Sequence, residues 1–227
     1  MTTTAPVADD AVATRVTLRP VASSLPLGFL ALALATVSFA AVQLGWVAPT
    51  EGRVAAIGAM AATVPLQLLA SVLGFLARDV VAATGMGVLA GTWGTIGLTT
   101  LTSPPGAVSP GLGVFLLTAG GCMLVPAAAA TAKLVPATVM TLAGVRFAVT
   151  GAYQLTGGAG WKAAAGWVGL LLGVVAAYAA VALALESTQG RTVLPLGRRQ
   201  PSVSAVRGEA PLGSRDLAGE PGVRPQL

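Results

Sequence analysis

The sequence predicts an all-α membrane protein: a bundle of six transmembrane helices, both termini cytoplasmic, with disordered tails. Three observations carry this. The 227 residues are 55% hydrophobic and only 9% charged, with a mean hydropathy of +0.81, whereas a soluble domain carries roughly a quarter charged residues. Between Leu25 and Leu185 only seven charges occur: Glu51, Arg53, Arg78, Asp79, Lys133, Arg146 and Lys162. Apolar runs of about 20 residues, the length that crosses a hydrocarbon core of about 30 Å, recur along the chain.

Residues 1–24 are a polar, Thr/Ala-rich lead with Asp9 and Asp10. They read as a cytoplasmic N-terminal tail and not a signal peptide, because the apolar run that follows is too long and lacks a cleavage site. Six spans follow within a transmembrane domain of residues 25–186: 25–47, 54–77, 80–102, 110–132, 134–157 and 161–186. Polar punctuation divides them. "APTEGR" separates the first two, Arg78-Asp79 the next pair, "SPPGAVSPG" makes the longest loop, Lys133 marks a tight turn, and "GGAGWK" precedes the last span. Residues 187–227 are rich in Pro, Gly, Arg and Ser without hydrophobic periodicity, a cytoplasmic tail expected to be mostly disordered after the motif "GRTVLPLG".

Basic residues set the orientation. With both termini inside, Arg15, Arg19, Arg78, Lys133, Arg191, Arg198, Arg199, Arg207, Arg215 and Arg224 are cytoplasmic, and Arg53 and Lys162 lie outside.

The composition also excludes chemistry. There is no histidine, so a His-based triad is impossible, and one cysteine, Cys122, forms no intramolecular disulfide. Scattered carboxylates with a single cysteine argue against a metal site. No nucleophile–base pair or carboxylate dyad stands within the spans, so the chain is expected not to be an enzyme and to need no cofactor. Nothing points to nucleic acid.

Several spans carry a polar stripe that lipid contact does not require. In the fifth, Thr138, Arg146, Thr150 and Tyr153 share a side of a 3.6-residue helix. In the second, Thr63, Gln67 and Ser71 are four apart; in the third, Thr84, Thr92, Thr95, Thr99 and Thr102 fall in one sector; in the first, Thr36 and Gln43 align. Threonines bond back to their own helix, and Gln67 can serve as a plain interhelical hydrogen bond. Taken together with a mid-membrane arginine, the stripes point to a polar path through Gln67, Thr92, Thr95, Arg146 and Thr150. The sixth span carries Gly169 and Gly173 instead, a spacing for close helix contact.

Arg146, in "TLAGVRFAVTGAYQLTG", is the sharpest feature. An arginine at the bilayer centre costs at least ~2.5–3.5 kcal/mol, so it faces protein or water and takes a partner. No acid in the sequence is placed to provide one. Either it bonds helix carbonyls or snorkels, or its counter-charge arrives with a small anionic solute.

The end of the sixth span, with Gly166-Trp167, Tyr178 and "GRTVLPLG" (Gly190, Thr192 and Pro195 among them), resembles the closing pattern of the acetate uptake transporter family, the bacterial succinate–acetate permeases and their fungal relatives. The opening "SLPLGF" is similar to the second half of the family's Asn-Pro-Ala-Pro-Leu-Gly signature in Pro26, Leu27 and Gly28; Ser23 and Ser24 replace its Asn-Pro. "QLLASVLGFLA" is similar to the family's Gln-x-x-Ala-Gly run and keeps Gln67 but not its glutamate, and "TWGTIG" stands for its Tyr-Gly-x-Phe-Trp, with Trp93 at the tyrosine and Gly94 kept. The resemblance spans most of residues 24–197 and marks a divergent member. It implies six helices, a homo-hexamer in the bacterial plasma membrane, and passage of small carboxylates such as acetate or succinate, as a channel or by proton symport. The family's Phe–Leu–Tyr constriction would fall on Leu32, Leu142 and Trp93. Arg146 has no counterpart in the pattern.

Two other readings remain open from sequence: a channel for a neutral solute such as ammonia or urea, and a membrane scaffold whose basic tail binds lipid or protein. The orientation is testable by itself. A reporter fused after Gly197 should be cytoplasmic, because the arginine-rich tail follows an even number of spans; a signal on the far side would mean that a span has been miscounted near Lys133.

Overall fold

The computed structural model describes residues 22–130 and 133–199. The expectations for the remaining tail residues, including Arg15, Arg19, Arg207, Arg215 and Arg224, lie outside the described residues. Six helices long and apolar enough to cross a membrane follow one another: α1 Leu25–Gln43, α2 Pro49–Leu76, α3 Val80–Thr102, α4 Pro110–Ala129, α5 Leu134–Thr156 and α6 Ala159–Gln189.

Local chemistry sets the ends. Proline stands in the first turn of α1, α2 and α4, where its missing N–H costs no helical bond. Asp79 caps α3 by accepting from the Ala82 N–H at 3.0 Å, and Ser109 caps α4 from Leu112. Gly157 and Gly190 end α5 and α6 in the left-handed conformation, at φ 67° and 62°. Two helices are irregular. In α2 a π turn at Ala59–Thr63 stands just before Pro65, and α4 breaks at Met123, three residues before Pro126.

Several boundaries differ from the sequence reading. The first helix ends at Gln43, because Gly45 (φ 73°) turns the chain. "PTE" is a 3-10 turn that leads into α2 and not a loop. The last helix begins at Ala159 and runs past 186 to Gln189.

Neighbours in sequence pack as neighbours in space, and α1 packs along α6 to close the ring. Glycine lets α4 and α5 approach closely. A Cβ on Gly120 would lie 2.8 Å from the Gly144 carbonyl oxygen, and one on Gly151 2.8 Å from that of Gly113. The outer faces carry Leu34, Val54, Leu68, Phe75, Trp167 and Val174 exposed, which a lipid-facing surface requires and a water-facing one does not tolerate.

The motif at 190–197 is ordered. It folds back from α6 onto the start of α5, where the Leu134 and Val135 N–H groups donate to the carbonyls of Gly197 and Leu196 at 3.1 and 3.2 Å. Leu196 is buried, worth about 1.5–3 kcal/mol, and the Tyr178 hydroxyl donates to the Pro195 carbonyl at 2.9 Å. Glu186 gathers the strap: it pairs with Arg198, accepts from the Thr192 hydroxyl at 3.1 Å and faces Lys133 at 3.9 Å. Partial burial, then the Arg198 charge, hold the Lys133 pKa below its usual value, against the pull of Glu186 and Asp79. Gly190, Thr192 and Pro195 thus serve this strap. At the same end of the bundle Pro26 starts α1, and Gly28 is pressed against Met86.

Candidate functional site

The centre of the ring is filled by three rings from alternate helices. Trp93 of α3 packs against Phe39 of α1 with centroids 5.6 Å apart, and edge-on against Phe147 of α5 at 6.0 Å. Such tilted contacts are the favoured aromatic geometry and pin the three helices to one another. Trp93 and Phe147 are each 1% exposed.

Beside this plug lies a small cavity lined by Phe39, Gln43, Trp93, Ile96, Arg146, Phe147 and Thr150. It sits toward the end of the bundle away from the described chain ends, since Gln43 closes α1 and Thr150 lies in the later part of α5. Space open to water centres is about 20 Å³, room for one water molecule.

Arg146 is 2% exposed and points into the bundle, about 18 Å along α5 from Leu134. Its Nη1 donates to the Thr150 hydroxyl at 3.2 Å and to the Ala165 carbonyl of α6. Thr150 in turn donates to the Arg146 carbonyl at 2.7 Å. Gly169 makes the seat: a Cβ there would stand 2.9 Å from Arg146 Cζ and Nε and 3.1 Å from the Ala40 Cβ. The spacing read as helix contact does bring α6 against α1, where Gly173 faces Val37, but Gly169 also makes room for a guanidinium.

The bonds to α6 leave part of the site unmade. Arg146 Nε, Trp93 Nε1 and Gln43 Oε1 are buried with no hydrogen-bond partner among the described residues, and all three side chains line this cavity. Buried polar atoms are nearly always paired, and here three unpaired ones border one cavity with room for a water molecule. Gln67 of α2 is also fully buried with both amide atoms unpaired, away from this lining.

The structure brings together Trp93, Arg146 and Thr150 of the residues expected from sequence. The others go elsewhere. Leu32 and Leu142 pack in the general apolar core and do not line the cavity; Phe39 and Phe147 take the places beside Trp93. The Thr92 and Thr95 hydroxyls donate to the Val88 and Gly91 carbonyls of their own helix, at 2.7 and 3.0 Å, and Thr92 borders a separate groove between α3 and α4. Thr138 is exposed and bonds back to Leu134; eight residues are about 80° past two full turns, too far around to share the Arg146 face. Thr36, Thr63 and Ser71 act as interhelical ties, donating to the Gly169, Ala31 and Ala83 carbonyls at 3.3, 3.0 and 2.6 Å. Phe39 and Phe147 went unmarked because an aromatic in an apolar run carries no signal of its own, although Phe39 stands one turn before Gln43.

Fold and site together define a multi-pass membrane bundle with an aromatic plug and, beside it, a buried arginine. Among solved structures, the bacterial acetate channel SatP shares this fold, with a TM-score of 0.70 and 26% sequence identity over 78% of this chain and 100% of that one. The resemblance to the acetate uptake transporter family carried by the sequence motifs is borne out by this likeness. No protein-family model matches the chain, and no curated protein matches it in sequence.

The seat of the arginine can be tested without a transport assay. Gly169→Ala should lower the melting temperature of the purified protein, and should do so much less in an Arg146→Gln background. The expected coupling is about 0.5–3 kcal/mol, as for residues in contact; additive losses would mean that the two do not touch.

Proposed function

We propose that this chain carries small carboxylates, with acetate as the reference substrate, across a bacterial plasma membrane, as a channel or a proton-coupled carrier. The observation that carries this reading is the likeness to an acetate channel over 78% of this chain, joined to a buried arginine at the centre with an unmade hydrogen bond. A carboxylate entering from the end of the bundle nearer the cavity sheds water against Phe39, Trp93 and Phe147. Polar atoms in the cavity stand in for that water, and Arg146 supplies the opposite charge. The aromatic plug limits what passes by size, as constrictions in channels do. Assembly as a homo-hexamer with both termini cytoplasmic, which the family resemblance and the basic residues favour, belongs to the same proposal; the apolar outer faces provide the surface for lipid and for neighbouring copies.

Uptake of labelled acetate into proteoliposomes, with and without an imposed pH gradient, tests this. Wild-type protein should carry acetate, and Arg146→Gln should cut the rate about tenfold or more, the loss of one charge-assisted bond. Stimulation by the gradient would assign a carrier, and indifference to it a channel. Absence of acetate flux together with salt-independent ammonia flux would overturn the proposal in favour of a neutral-solute pore.

A further inference from the structure

We infer that Arg146 Nε–H and Trp93 Nε1–H form a two-donor site for one carboxylate group, and that this site selects short monocarboxylates over dicarboxylates. The inference rests on the transport reading above and specifies its substrate class.

The two donors are alike in circumstance. Each belongs to a side chain at most 2% exposed, each lacks a partner among the described residues, and both side chains line the same cavity. Neither nitrogen accepts a hydrogen bond as it stands: indole N–H is a donor only, and guanidinium has five donors and no acceptor. A guest must therefore bring acceptors. A carboxylate brings two oxygens, one for each donor, and a negative charge for the guanidinium. Gln43 Oε1, the third unpaired atom, becomes a donor when the amide turns over, which needs no backbone movement.

Selection follows from what else lines the cavity. Phe39, Ile96 and Phe147 form the apolar walls, and Arg146 is its sole charged residue. The space admits a group the size of one water molecule, so the methyl of acetate enters by displacing a ring of the plug. A second carboxylate would find no second cation in this lining, and burying a carboxylate without a counter-charge is prohibitive. The orientation of Arg146 is held from behind. Gly169 leaves the room, and the Ala165 carbonyl and Thr150 hydroxyl occupy Nη1, while the buried Nε has no partner among the described residues and is available to the guest.

The test uses the full chain in proteoliposomes and reads the acetate concentration at half-maximal uptake. Trp93→Phe keeps an aromatic ring in the plug but removes the N–H; it should raise that concentration about tenfold, the worth of one hydrogen bond to a charged group, while the maximal rate is held. Arg146→Lys keeps the charge but loses Nε and should raise it similarly. Propionate should compete with labelled acetate at concentrations at least tenfold below those at which succinate competes. Wild-type half-saturation in Trp93→Phe, or succinate competing as well as propionate, would overturn the site while leaving carboxylate transport intact. A wild-type chain that carries no acetate would overturn both. Should Arg146→Lys fail to insert, Trp93→Phe and the competition series decide the matter alone.

Discussion

The structure depends on how a guanidinium is kept in the middle of an apolar bundle. Placing Arg146 there costs at least ~2.5–3.5 kcal/mol, and the fold answers with a notch and two acceptors. Gly169 on α6 leaves the volume, the Ala165 carbonyl one turn earlier accepts a bond, and Thr150 on the arginine's own helix accepts another. Hydrogen bonds to a charged group contribute about 1.5–3 kcal/mol each, so two of them offset the cost of insertion. The offset fixes α5 against α6, and the glycines of α6 fix it against α1. Of the two alternatives open from sequence, carbonyl bonding is realised through Nη1, while Nε has no partner among the described residues, which is where the proposed anion would bind.

The consequences spread across the ring. Phe147 follows Arg146 in sequence, so seating the arginine toward α6 aims the ring at the centre, where Trp93 and Phe39 meet it. The three come from α1, α3 and α5, so a movement that opens the plug must displace at least one ring or shift the helix that carries it. The π turn of α2 and the break of α4 lie on the intervening helices. At the end of the bundle near the described chain ends, the Glu186–Arg198 pair and buried Leu196 tie α6 to α5, so the arginine's two helices are clamped at that end.

Much of the architecture was legible because the bilayer constrains it so strongly. Six apolar runs gave six helices, and the divisions at Arg78-Asp79, the Pro-rich loop and Lys133 stand where the sequence put them. The site was half legible. Arg146 announces itself by charge alone, and Thr150, one turn later, follows from helical spacing. The threonine sector of α3 misled, because a hydroxyl's bond to its own helix carbonyl is invisible in a sequence pattern. Leu32 and Leu142, placed by resemblance, gave way to Phe39 and Phe147 because the residues that crowd Trp93 depend on helix rotation, which no motif records. The double role of Gly169 was also hidden: a small-residue spacing tells of close approach, not of what fills the notch.

The central claim is that the leftover guanidinium N–H of Arg146 receives the carboxylate. Solid-state nuclear magnetic resonance on the protein in lipid, with [1-13C]acetate and 15N-labelled arginine, measures this directly. The account predicts a dipolar coupling that places the carboxyl carbon within about 4 Å of a guanidinium nitrogen, as a charge-assisted hydrogen bond requires, and its loss in Arg146→Gln. A coupling that survives in that variant, or bound acetate with no coupling to arginine at all, would contradict it.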